Sequence, residues 1–422
     1  MQNYDIVVIG GGPAGLGAAL EAKRQGIEKV LIIERDVELG GILQQCIHNG
    51  FGIHIFNEEL TGPEYAQRYI DMTYQEKVDI LLDTMVTAIS SDKTVEAINS
   101  RGMLHIQAKA IILAMGCREK NRGGIAIPGD RPSGVFTAGA AQRYINIEGY
   151  NVGKKAIVLG AGDIGMIMAR RIVLEGGEVS AVLARGNIVK GLTRNIVQCL
   201  DHYGIPLLLN HNITKITGRE RLESVTIAKT DERKRVIAGT EVEYACDTLL
   251  LSVGLVPENE LSRMAGICID GKTDGPIVNE SMETSIPGIF ACGNVVHVHD
   301  VVDFVTEESV RAGANAARLV SGEGREHSEA LAVKVSGGIT YCVPHKLSVN
   351  ALPEKLDLFM RVDDIYEKAK IVIRNQGREL ASFQKSYLTP GEMIKQRVDN
   401  SIFEGAKGEI EISLVAGGRK ND

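Results

Sequence analysis

Two glycine triplets stand 150 residues apart in the chain, Gly10-x-Gly12-x-x-Gly15 and Gly160-x-Gly162-x-x-Gly165. In such a spacing the first glycine permits a tight turn, the second lets backbone approach a pyrophosphate, and the third lets a helix pack on a strand. A helix that starts there adds the positive potential of its free N–H groups. The spacing says little alone, but each copy follows an apolar strand-like run, Asp5-Ile6-Val7-Val8-Ile9 and Lys155-Ala156-Ile157-Val158-Leu159. The residues between the glycines, Pro13, Ala14, Asp163 and Ile164, belong to the same two cradles. Counting 24 residues on from Gly10 reaches Glu34, at the end of Val30-Leu31-Ile32-Ile33, where a carboxylate can accept from a ribose diol, with Arg35 beside it. The same count from Gly160 reaches Ala184, followed by Arg185. An arginine there suits a 2'-phosphate, and it equally suits a solvated loop, so NAD(H) and NADP(H) both stay open.

The elements that must position these residues repeat along the chain. An amphipathic helix is predicted over Pro63 to Gln75, with Tyr65, Tyr69 and Met72 at helical spacing. Strand-like runs follow at Met85 to Ile89, Thr94 to Ile98 and Met103 to Gln107, and Ala110 to Leu113 then ends in Ala114-Met115-Gly116. The second half offers Asn212 to Thr217, Leu222 to Ala228 and Val242 to Ala245, then Thr248 to Val253 closing at Gly254. From fingerprint to closing glycine is 106 residues in one half and 94 in the other, which points to duplication. Ala114, Gly116 and Gly254, at the strand ends, are placed beside the cofactors, because open α/β sheets bind ligands at the carboxyl ends of their strands.

With these motifs, and with Thr284-Ser285-Ile286-Pro287-Gly288-Ile289-Phe290-Ala291-Cys292-Gly293-Asn294, the chain resembles the pyridine nucleotide-disulfide oxidoreductase superfamily. The resemblance implies an α/β fold, with a three-layer FAD domain over 1–120 and 270–325 interrupted by a nested NAD(P) domain over 121–269. Residues 326–422 depart from that plan: strand-like runs at Leu358 to Val362, Ala369 to Arg374, Glu379 to Phe383 and Glu409 to Leu414 predict a small β-rich, sandwich-like domain. Gly293 and Asn294 would hold the flavin side of FAD; the family usually has aspartate at the latter place, and an amide can still bond a ribityl hydroxyl. A helix patterned from Thr306 to Leu319 would aim its first amides, that of Thr306 among them, at the flavin. The plainer reading is a surface helix.

Relatives that reduce disulfides carry a Cys-x-x-x-x-Cys after paired glycines, here Gly40-Gly41. The corresponding positions read Leu43 and His48, with Cys46 alone between them, and the nested domain lacks Cys-x-x-Cys. An internal dithiol is therefore not expected, and Gly41 is assigned to the FAD site. The runs Gly40 to Gly52 and Gly293 to Asp300 look more like flavoprotein subunits that accompany glycerol-3-phosphate, sarcosine or hydroxyproline dehydrogenases. That group implies transfer of electrons between NAD(P)(H), FAD and a partner subunit or small acceptor, in an oligomer. Two rivals stand beside it. Cys46, assisted by His48, would cycle through a sulfenic acid in a free-standing oxidase or peroxidase, against the plain reading of a buried inert thiol. Alternatively the chain is a non-catalytic organising subunit with a vestigial nicotinamide site, which Ala184 favours. His297, His299 and Asp300 fit no strong zinc spacing, so no metal is expected and a place beside the flavin or at a domain contact is preferred.

Composition bounds the rest. At 422 residues, 44% of them hydrophobic, the chain suits two or three domains. A net charge of -7 without long single-sign runs argues against nucleic acid as a partner. No run approaches about 18 apolar residues and the first strand starts at once, so a cytoplasmic protein without a transmembrane segment is expected. Seven cysteines form no close pair, and a local disulfide or zinc site is not suggested.

Overall fold

The computed structural model describes residues 2–189, 191–323 and 330–415, so the expected junction at 325/326 lies outside the described residues. The chain forms two units, Met1–Cys117 with Pro257–Asp422, and Arg118–Val256. Among the described residues no helix is long and apolar enough to cross a membrane.

In the first unit, Gln2–Ile9 lies between Val30–Ile33 and Gly102–Leu113, parallel to both. All four residues of Val30–Ile33 are buried, as a strand covered on both faces requires. The predicted strands at 103–107 and 110–113 prove to be one, Gly102–Leu113. Its first half alternates in burial and pairs antiparallel with Thr94–Asn99; its last four residues are all buried and pair parallel with Ile289–Ala291. No glycine or proline interrupts Met103 to Leu113, so nothing breaks the strand where its environment changes.

The helix Gly62–Gln75 matches the expected periodicity and buries Tyr65 and Tyr69. Thr61 caps it: its Oγ1 accepts from Glu64 N at 3.4 Å, while Glu64 Oε2 accepts from Thr61 N at 2.8 Å. Helix Pro13–Arg24 crosses the long helix Val302–Val320 at small residues. A Cβ on Gly313 would strike the Ala18 carbonyl oxygen, and one on Gly17 would strike Ser309 Oγ. Backbone therefore meets backbone at this crossing, and the helix that opens the first fingerprint is fixed by it.

The second unit repeats the plan with a parallel sheet in the order Val135–Thr137, Thr248–Leu251, Lys155–Leu159, Glu178–Ala184, Leu207–Leu209. Its antiparallel layer, His211–Gly218, Leu222–Lys229 and Val242–Ala245, is a separate sheet rather than an extension of the first.

The return into the first unit falls at Pro257, earlier than the expected 269/270. The reason lies in the hydrogen bonds of the segment that follows. Glu258 N donates to Gly116 O at 3.0 Å, and Asn259 Nδ2 donates to Asp274 O at 3.0 Å and Val295 O at 2.9 Å. In the second unit Lys120 N donates to Gly254 O at 2.9 Å, so each unit draws its own two crossing points together.

The C-terminal segment builds two sheets over one core. One runs Lys346–Leu347, Leu331–Ser336, Glu409–Val415, Tyr366–Asn375, Arg378–Leu388; the other Ile339–Val343, Lys355–Val362, Ile394–Asp399. Leu356, Leu358, Met360, Ile371, Ile373, Phe403 and Ile412 are fully buried between them. The sandwich also grips the first unit's nucleotide-binding body: His345 N donates to Val278 O at 2.9 Å, Arg361 pairs with Asp300, and Lys395 pairs with Glu307. It thus clusters with that body rather than standing apart.

Gly313→Val forces side-chain atoms into the helix crossing and is expected to destabilise the first unit by about 1–3 kcal/mol. A urea titration would show this as a lower midpoint with an unchanged slope; an unaltered midpoint would contradict the close approach.

Candidate functional site

At the first fingerprint Gly10 has φ 107°, which favours glycine, and a Cβ on Gly15 would run into the Gly10 carbonyl oxygen. A Cβ on Gly12 would meet nothing within 4 Å, so the middle of the turn is open, as a backbone approached by a pyrophosphate requires. Pro13 and Ala14 follow in the first helical turn, and Pro13 needs no N–H partner there. Glu34 is buried at the lip, its Oε2 accepting from Gly11 N at 2.6 Å and its Oε1 from Asp36 N at 2.8 Å. Arg35 points outward and pairs with Glu258 at 3.1 Å. Gly40 N donates to Gly11 O at 2.9 Å, and Cα of Gly12 lies 3.1 Å from where a Cβ of Gly41 would stand, so the paired glycines close one side. Ala114 N donates to Ile9 O at 2.9 Å, and Gly116, with φ 71°, turns the chain away from the strand end. The open turn, the carboxylate and the helix N-terminus together fit an adenine dinucleotide.

Gly293, also at positive φ, packs against Ala14, placing the late motif beside the first fingerprint helix. Asn294 uses both ends of its amide: Oδ1 accepts from His299 N at 2.9 Å, and Nδ2 lies 3.7 Å from Cys117 Sγ. The oxygen closes the loop 294–299 on itself, as an aspartate oxygen also could, whereas the contact to Cys117 uses a donor that an aspartate lacks. Thr306 does not open its helix. The helix starts at Val302, so the Thr306 amide lies inside the ladder, and its hydroxyl meets Tyr65 Oη at 2.8 Å in a buried contact. The first-turn amides without an intrahelical acceptor are those of Val302 and Asp303, since Phe304 N already donates to Val301 O at 3.2 Å. Asp303 is buried there, and burial raises its carboxyl above the ordinary range, although its Oδ2 accepts from His54 N at 3.4 Å.

Cys46 is partly exposed in area, but its sulphur is densely surrounded, and burial pushes the thiol up to about 12. Its Sγ–H donates to Ile42 O at 3.3 Å. His48 packs its ring on Phe51 at 5.1 Å between centroids. This environment opposes the thiolate that peroxide chemistry needs.

The nested fingerprint has the same form. Gly160 has φ 112°, a Cβ on Gly165 would strike the Gly160 carbonyl oxygen, and a Cβ on Gly162 would meet only Ser252 Oγ at 3.9 Å. The Asp163 carboxylate accepts from Leu192 N at 2.8 Å and Asn195 Nδ2 at 2.6 Å, tying the neighbouring loop to the first turn of the helix, which Ile164 continues. Gly254, at φ 110°, is open at its Cβ position. Beyond buried Ala184, exposed Arg185 donates from Nε to Lys234 O at 3.3 Å. Among the described residues neither Arg185 nor Lys234 makes an ion pair, so the lip where a ribose carboxylate usually stands carries two cations.

One constellation was not read from the sequence. His297, His299 and Glu308 bring ligand atoms within 4.8 Å of one another, all three side chains fully buried. Glu308 replaces Asp300 in the grouping considered above, because Asp300 turns outward to Arg361. Burial opposes ionisation of Glu308, but the two imidazoles hold it below the usual carboxylate range. Burial, joined by the His299 ring, pushes His297 down to about 4. Glu308 sits nine residues past His299 on a helix, a spacing with no short-motif signature.

Two nucleotide cradles of one design, the second inserted in the chain that builds the first, define a two-dinucleotide oxidoreductase fold. Residues 4–318 match the family described as pyridine nucleotide-disulphide oxidoreductase, and the chain belongs to that family. Its members are FAD-dependent NAD(P)H oxidoreductases. The chain is 28% identical over 335 residues to mitochondrial dihydrolipoyl dehydrogenase of Caenorhabditis elegans, covering 70% of this chain and 64% of that protein. It is 23% identical over 321 residues to hydrogen cyanide synthase subunit HcnB of Pseudomonas protegens, covering 70% and 66%. The chain thus spans a little under two thirds of the length of these curated relatives. The crystal structure of Lactococcus lactis thioredoxin reductase superposes with a TM-score of 0.62 at 23% identity, over 76% of this chain and 99% of that one, which speaks for the fold.

With a thiol near 12, Cys46 is expected to be about one part in 10⁵ thiolate at pH 7. Iodoacetamide should therefore modify its peptide far more slowly than that of exposed Cys268, as mass spectrometry would show. Trapping of a sulfenic acid on Cys46 by dimedone after peroxide treatment would refute this.

Proposed function

We propose that the chain passes electrons between a nicotinamide dinucleotide held at Gly160, Gly162 and Gly165 and an FAD held at Gly10, Gly12, Gly15, Glu34 and Gly293. The electrons leave for a partner subunit or small acceptor without a disulfide of this chain. The observation that carries the reading is the pair of turns open at Gly12 and Gly162, together with a Gly40–Gly41 loop that holds one cysteine where a dithiol would need two. Bound FAD would supply a two-electron acceptor and bound NAD(P)H a hydride, a transfer that needs ring-on-ring approach and no protein nucleophile. The chain's own work is binding and orientation. The Glu34 carboxylate receives the adenosine ribose, the Gly12 and Gly162 turns admit the pyrophosphates, and the N-terminal amides of Val302–Val320 offer positive potential to negative charge.

Arg185 and Lys234 select the nicotinamide. Two cations at the strand end that make no ion pair among the described residues, with alanine in place of a carboxylate, favour a 2'-phosphate. NADP(H) is therefore the reading preferred over NAD(H), and the same pair weighs against a vestigial site. The partner part of the reading, a subunit working beside a glycerol-3-phosphate-type or amino-acid-type dehydrogenase, is supported by the Gly40 to Gly52 and Gly293 to Asp300 runs and by the similarity to a protein named as a synthase subunit.

Full-length protein loaded with FAD and mixed anaerobically with NADPH or NADH tests the assignment. Rapid flavin bleaching is expected, faster at equal concentration with NADPH. Arg185→Ala should raise the NADPH concentration for half-maximal rate about tenfold and leave NADH within about twofold, the effect of one lost charge-assisted contact. No bleaching by either nucleotide would favour the organising-subunit reading instead, and purification of the chain with its native neighbours would then identify what it organises.

A further inference from the structure

We infer that His297, His299 and Glu308 form a binding site for one divalent transition-metal ion, of the zinc class, independent of the nicotinamide chemistry. The argument starts from Glu308. Its Oε1 accepts from Gly293 N at 2.7 Å, which fixes the carboxylate and turns Oε2 toward the two imidazoles. From Oε2 it is 2.9 Å to His297 Nε2 and 3.5 Å to His299 Nε2.

The His297 contact alone would be an ordinary buried imidazole–carboxylate hydrogen bond. His299 is different. Its side chain is fully buried, it faces the same oxygen, and neither of its ring nitrogens makes a hydrogen bond among the described residues. Burying an imidazole with both nitrogens unsatisfied is unfavourable, and a nitrogen lone pair directed at a cation removes that penalty for Nε2. Two imidazole nitrogens and one carboxylate oxygen are a ligand set of the kind that zinc takes. The Gly293 amide acts as the outer contact that orients the carboxylate ligand.

The position also gives the ion a task. His297 and His299 lie on the loop that Asn294 closes, Glu308 lies on the long helix, and Phe359 and Tyr341 of the sandwich pack on the rings at 5.3–5.8 Å between centroids. A bound ion would pin the loop to the helix beneath the sandwich, next to the glycine that abuts the first fingerprint helix.

The test is metal analysis of the full-length protein after dialysis against zinc and removal of loosely held ion. About one equivalent per chain is expected for the natural sequence and less than a tenth for His299→Ala, with FAD content unchanged to show that the variant is folded. X-ray absorption at the zinc edge is the second measurement and needs no variant; it should give nitrogen and oxygen neighbours at about 2.0–2.1 Å. A protein that takes up no zinc, one in which His299→Ala binds as much, or a first shell containing sulphur would each overturn the proposal.

Discussion

The backbone contact inside each glycine fingerprint is the constraint on which the remaining architecture rests. Because Gly15 lies against the Gly10 carbonyl, and Gly165 against that of Gly160, helix and strand meet without side chains between them. That approach puts the helix N-terminus directly over the end of the strand, where its unsatisfied amides face the ligand. In the first unit the geometry is held from behind as well, by Gly17 and Gly313 at the crossing with the long helix. Any Cβ at these places would lift the helix and move the amides with it.

Much of this was legible in the sequence because it is local. Strand, turn, glycine spacing and the acidic residue at 34 fall within one short stretch, so period and spacing reveal them. The capped helix Gly62–Gln75 and the C-terminal strands were readable for the same reason. What escaped depends on contacts between distant segments. The start of the long helix at Val302 rather than Thr306 is one case: Val301-Val302-Asp303-Phe304 has a β-like pattern, and its helical form depends on tertiary context that local propensity does not carry. The return boundary at Pro257 is another, fixed by the bonds of Glu258 and Asn259 rather than by any composition shift. Glu308 could not be grouped with the two histidines until a helix turned it back toward its own upstream loop.

The late glycine motif ties several segments of the first unit together. With asparagine at 294, the amide oxygen holds the following loop at His299 and the amide nitrogen reaches Cys117 at the end of the other segment of the unit. The loop it closes carries His297 and His299 under the sandwich, and Asp300 at the loop's end reaches Arg361. The C-terminal module is therefore tied to the late glycine motif through polar contacts as well as apolar packing, which explains why it clusters with that body. Burial keeps Cys46, in the Gly40 to Gly52 loop, a thiol.

The discontinuity of the first unit sets an order of assembly during synthesis. Its central sheet needs Ile289–Ala291 beside Gly102–Leu113, and its first helix needs Val302–Val320 across it. Both partners emerge from the ribosome only after the whole of Arg118–Val256 has been made. The inserted unit is contiguous, with Lys120 and Gly254 hydrogen-bonded near its two ends, so it can close its core while its host still waits as an open half-sheet. A nascent chain that has emerged from the ribosome as far as residue 256 would thus carry a finished nucleotide-binding module on an unfinished one, with the apolar edge of Gly102–Leu113 exposed to chaperones.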